Sequence, residues 1–103
     1  MGNRRPTRKP GREDERPAVW FAYGKLLRLF RDRAQMSRQQ LGDAIGYSVE
    51  QVASVEQGRR PAKVIFTEAA DQAVNAMVAL LVLQGDVDHA KLPAFFRNFA
   101  LLE

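Results

Sequence analysis

The chain has 103 residues, 46% of them hydrophobic, which suffices for one small domain with a core of several helices. It has no cysteine, so disulfides, thiolate zinc sites and cysteine nucleophiles are excluded. A net charge of +4 and an isoelectric point near 10.0 suit an acidic polymer or an anionic membrane surface without choosing between them.

Residues 1–17 hold Arg4, Arg5, Arg8, Lys9, Arg12 and Arg16, three prolines and almost nothing apolar. Such a segment cannot repay the entropy of folding, and it reads as a disordered basic arm. A first helix is predicted from about Ala18 to Ala34, with Leu26, Leu27, Phe30 and Ala34 at helical spacing and arginines on the other side. Gly24 inside it marks close helix packing. Trp20, Phe21 and Tyr23 at its start close the core or join a partner surface.

Two helix-start signals follow, eleven residues apart, at Ser37 with Gln40 and at Ser48 with Gln51. Each satisfies the capping box, in which the serine oxygen accepts an orphan amide proton and the glutamine side chain reaches back. Gly46 lies just after Leu41, Ala44 and Ile45, where a left-handed residue ends the helix at least cost if it has no side chain. Gly42 allows the two helices to cross closely. In the second of them Val52 and Val55 share an inward face, while Val49, Glu50, Ala53 or Ser54 and Gln57 look outward or sideways. This is the spacing of a helix-turn-helix.

After Gly58 the stretch GRRPAK forms a basic turn, since Pro61 lacks an amide proton and disfavours helix at Arg60. A fourth helix is predicted over about Val64 to Val74 and a fifth over about Ala76 to Gln84, either separate or continuous with it, until Gly85 and Asp86 break the pattern. Pro93 opens a short aromatic helix with Phe95, Phe96 and Phe99. No strand-like alternation survives, so the fold class is all-α, a bundle of five to six helices. The apolar run from Ala76 to Leu83 is far too short to cross a bilayer, and no signal peptide opens the chain, so a soluble cytoplasmic protein is expected.

With these elements in place, the chain resembles the XRE family of bacterial regulators, the group with the Cro and phage-repressor type of DNA-binding domain. The resemblance covers roughly Ala22 to Val74 and rests on YGKLLRLFRDRAQMS, SRQQLGDAIGYS and VEQVASVEQGRRP. It implies a lambda-repressor-like bundle and three regions: the arm at 1–17, a helix-turn-helix domain at 18–75, and C-terminal helices at 76–103 that serve as a dimer contact or a linker. The tail KLPAFFRNFALLE is similar to the segment that, in many actinobacterial members, leads into a larger ligand-sensing domain, so the chain is either the front part of a longer regulator or a short form of one.

The resemblance also implies that Arg31, late in the first helix, pairs with Glu56, late in the recognition helix. Such a pair satisfies itself bidentately and locks two helices in register, and losing one half costs several kcal/mol where desolvation is deep. Glu56 is then a strut and not a catalytic acid, which would need a pocket with a second titratable partner. The recognition helix lays its N-terminal part in the major groove, so Val49, Glu50, Ala53 and Ser54 are the candidates for base edges. Glu50 can accept from a cytosine amino group, Ser54 can pair with several bases and Val49 can touch a thymine methyl. Equally, Glu50 can simply complement the positive end of its helix.

Family members often carry arginine, glutamine or asparagine at these positions, whereas this helix has no positive charge. Phosphate attraction then falls to the flanks: Arg38 and Gln39 at the start of the scaffold helix, Gln51, and Arg59, Arg60 and Lys63 in the basic turn. The basic arm either enters an adjacent minor groove or is a solubilising tail. His89 has only Asp86 and Asp88 as neighbours in sequence, a poor zinc set, so it reads as a solvated loop histidine. Neither metal nor cofactor is expected, and no nucleophile stands beside a base, so no enzymatic activity is expected.

Two functions fit these residues. One is a transcription regulator that binds double-stranded DNA as a homodimer, with Phe66, Val74, Met77, Leu80, Leu81 and Leu83 supplying apolar surface for the dimer contact. The other keeps the helix-turn-helix as scaffold and binds a partner protein through the C-terminal aromatic helix.

Overall fold

The computed structural model describes residues 16–91. The basic arm, up to residue 15, and the aromatic segment after Pro93 lie outside the described residues. Five helices follow one another: α1 (Ala18–Arg33), α2 (Arg38–Ile45), α3 (Val49–Glu56), α4 (Val64–Ala73) and α5 (Ala79–His89). Helix α1 packs on α3 and α5, α2 on α3 and α4, and α4 on α5. The shared interior is built from Tyr23 and Leu27 of α1, Leu41 of α2, Val52 and Val55 of α3, Phe66 and Ala70 of α4, and Leu80 and Val87 of α5.

Local chemistry sets the first three helices. Ser37 and Ser48 each accept a proton from the backbone N–H three residues on, and Gln40 and Gln51 each accept one from the serine's own N–H. Both capping boxes are therefore complete. Helix α3 ends in a Schellman motif: Gly58 at φ +74° donates to Val55 O, and Arg59 donates to Ser54 O. A side chain at Gly58 would also run into the ring of Phe21. The same motif closes α1 and α4 with Gln35 and Asn75 in the left-handed region, so neither end needed a glycine.

Helix α1 crosses α3 at Gly24, where an added Cβ would fall 2.6 Å from the carbonyl oxygen of Val55 and closer still to that of Glu56. That contact forces the close crossing. Gly42 serves a different neighbour from the one expected, since its face meets the Tyr47 carbonyl in the turn between α2 and α3. The arginines of α1 are not all on the outer side either: Arg31 is 8% exposed.

Helix α5 departs most from the sequence expectation. It begins at Ala79 and runs to His89, so Gly85 and Asp86 lie inside it and His89 is its last residue, not part of a loop. A turn with Asn75, Met77 and Val78 all at positive φ separates it from α4. The apolar surplus of these helices is also smaller than expected, because Phe66, Val74 and Leu80 belong to the core and Leu81 and Leu83 are half-buried. Met77 stays outside, joined by Val78 and Val82. No helix among the described residues is long and apolar enough to cross a membrane.

Candidate nucleic-acid interface

The two capped helices are fastened to α1 through one carboxylate. Arg31 Nε donates to Glu56 Oε2 at 2.6 Å and its Nη2 to Oε1 at 3.0 Å, a bidentate fork at the buried end of α3. The remaining edge of the guanidinium donates to the Met36 carbonyl at 2.9 Å, tying in the turn before α2. Glu56 holds the charge on Arg31 firmly, raising its pKa above the ordinary arginine value against the opposing effect of burial.

A second cation shares this carboxylate. Arg38 Nε donates to Glu56 Oε1 at 2.9 Å, and its side chain remains about a third exposed. Thus α1, α2 and α3 meet at Glu56, and Asp32, 3.5 Å from Arg31 Nη1, adds a second negative charge beside the two cations. Sequence reasoning placed Arg38 only against phosphate; the link to Glu56 spans 18 residues and leaves no local signal.

Outward from this cluster the remaining candidates divide by exposure. Val49, Glu50 and Gln51 in the first turn of α3 are exposed, whereas Ala53 and Ser54 are half-buried. Gln51 Oε1 is committed to the Ser48 N–H. Gln39 is exposed beside them and donates to Asp43 Oδ1 at 3.0 Å. Past the end of α3, Arg59, Arg60 and Lys63 are all exposed. Ion pairs among the described residues engage Arg28, Arg31, Arg38 and Lys91, and none of these three.

A cleft of about 200 Å³ lies between the turn before α3 and the basic turn after it, lined by Tyr47, Gln51, Val55, Arg60, Lys63 and Phe66 among others. Tyr47 and Phe66 meet edge to face, with centroids 5.0 Å apart, and form its apolar wall. Cations and an amide stand at its mouth. The structure thus places Arg38, Gln39 and Gln51 around the start of the two helices and Arg60 and Lys63 across the cleft from Gln51. Among the described residues no group of three or more His, Asp or Glu side chains comes together as a metal site.

Known proteins agree with this geometry at the level of fold. Two crystal structures of the clp gene regulator ClgR from Corynebacterium glutamicum superpose with a TM-score of 0.59 and 22% identity in each case. One alignment covers 70% of this chain and 94% of the ClgR chain, the other 84% and 92%. No curated protein matches the sequence. The family model described as a helix-turn-helix domain matches residues 22–84, from the second turn of α1 to the middle of α5. The chain therefore belongs to the helix-turn-helix domain family.

Proposed function

We propose that this chain is a sequence-specific DNA-binding transcription regulator that sets α3 in the major groove, as a dimer on a two-part site. The observation that carries the proposal is the division of α3: Val52, Val55 and Glu56 are spent inside the monomer, while Val49, Glu50 and Gln51 and the cations of the following turn are exposed. In this reading Val49, Glu50, Ala53 and Ser54 meet base edges. Exposure favours the first two as the deeper contacts.

Arg38, Gln39 and Gln51 hold the phosphates on one flank, and Arg59, Arg60 and Lys63 those on the other. Each cation releases counterions on binding, so affinity falls steeply with salt. Changing Arg59 and Arg60 together to alanine reduces the slope of log affinity against log salt by about 2 on any sequence. Titration of fluorescent duplex DNA across salt concentrations reads this directly. Failure of the unaltered protein to bind any duplex at low salt would sink the proposal.

One observation favours a second reading, a module that contacts a partner protein. Ile65, Met77 and Val82 are 68%, 79% and 72% exposed, and α3 itself carries no cation. That reading predicts that Ile65→Asp abolishes partner binding and leaves DNA affinity at zero in both forms.

A further inference from the structure

A buried chain of hydrogen bonds runs from α1 through α4 and α5 to the basic turn. Thr67, fully buried, gives its hydroxyl proton to Gln84 Oε1, so the 2.6 Å bond between Tyr23 and Thr67 must be donated by the phenol. At the other end of the same amide, Gln84 Nε2 donates to Asp88 Oδ1 and to the Ala62 carbonyl, each at 2.9 Å. Thr67 on one side and Asp88 on the other fix which way the amide points. Its donor end is held toward Ala62.

Ala62 lies between Arg60 and Lys63, two of the cations at the mouth of the cleft. The neighbouring backbone is anchored by Arg59 N to Ser54 O and by Thr67 N to Lys63 O. Between those anchors, Gln84 supplies the only hydrogen bond to the backbone of residues 60–62 among the described residues. Pro61 removes one N–H from this stretch altogether, so the turn has little of its own to hold it. The methyl of Ala62, 2% exposed, is the second point of attachment.

We infer that Gln84 is a positioning residue for DNA: a buried amide of α5 that fixes the turn carrying Arg60 and Lys63, so that both cations reach the phosphate rail together. The inference rests on the DNA-binding reading above. It assigns α5 a part in the grip on DNA although that helix presents nothing to the duplex. Cations on a loosely held turn still attract DNA, but they spend entropy on being ordered and engage fewer phosphates at once.

The test uses the full chain and random-sequence duplex DNA. Gln84→Met removes both ends of the amide at similar length, and Gln84→Glu keeps the acceptor for Thr67 while losing the donor to Ala62. Val87→Ala, in the same helix and fully buried but outside the relay, supplies a variant loosened without touching it. With circular dichroism confirming the fold of each, the Gln84 variants should show a salt slope smaller by about 1, whereas Val87→Ala keeps the original slope. Trypsin should also cut faster after Arg59 in the Gln84 variants than in Val87→Ala. An unchanged slope in both Gln84 variants, or an equal fall in Val87→Ala, overturns the assignment and leaves the DNA reading standing. No binding by the unaltered chain at low salt overturns both.

Discussion

Tyr23 takes a hydroxyl into the middle of the core, where its side chain is 1% exposed and its one proton goes to Thr67. Burial pushes the phenol up from 10.0 to about 12, and the charge of Asp71 adds to that rise. The neutral form is therefore the one that the fold favours. Because the folded pKa lies above the unfolded one, this stabilisation is whole below about pH 10 and is lost as the pH climbs through about 12. A shift of that size corresponds to about 3 kcal/mol. Tyr23→Phe should cost about 1 kcal/mol at pH 8, the worth of the bond to Thr67, and should then lose less stability than the unaltered protein between pH 10 and 12. Urea unfolding at several pH values compares the two, with lysine titration common to both. Parallel curves would show that the phenol ionises at the same pH in the folded and unfolded chain, so that burial does not raise its pKa.

Element by element, the fold was legible where its chemistry is local. The capping boxes at Ser37 and Ser48 lie within four residues of chain, so the starts of α2 and α3 were readable to the residue. Helix α5 is different, because its cap comes from another helix. Asp71, on the buried face of α4, accepts from Val78 N at 2.9 Å with one oxygen and from Leu80 N at 3.0 Å with the other. Those bonds hold Val78 at φ +66°, a conformation costly for a β-branched residue, and start α5 three residues later than the apolar run suggests. Gly85 looked like a terminator for the same reason: periodicity cannot show that Gln84 and Val87, on either side of it, are both locked inside. Of the site, the Arg31 and Glu56 partnership came from family likeness, while the third member, Arg38, and the anchoring amide of Gln84 depend on contacts that only the folded chain makes. Asp71→Ala should cost about 2 kcal/mol in denaturant unfolding and speed hydrogen exchange at the Val78 and Leu80 amides above the rest of the core. Exchange that stays uniform across α5 would mean the carboxylate is not its cap.

At the scale of the whole molecule, the two faces of the protein are chemically distinct. Cations with no ion pair among the described residues gather at the basic turn, and Met77 and Val78 just before α5, with Val82 in its first turn, have 79%, 57% and 72% of their surface exposed. A trio of that kind is costly to leave in water, and a second copy of the chain is the occupant that the proposed dimer would supply. The dimer proposed above needs two copies of α3 set one helical turn apart on a two-part site, and this edge is the candidate seam. If the proposed dimer forms about this edge, Val82→Asp places an unpartnered charge in the contact and should shift the protein from dimer to monomer in sedimentation at micromolar concentration. Affinity for a single half-site should then be unchanged, and affinity for the two-part site should fall by at least about tenfold, because the second copy no longer binds as part of one particle. If the unaltered chain sediments as a monomer and Val82→Asp binds the two-part site as well as it does, α5 is not the seam, and the two recognition helices must be brought into register by something other than this edge.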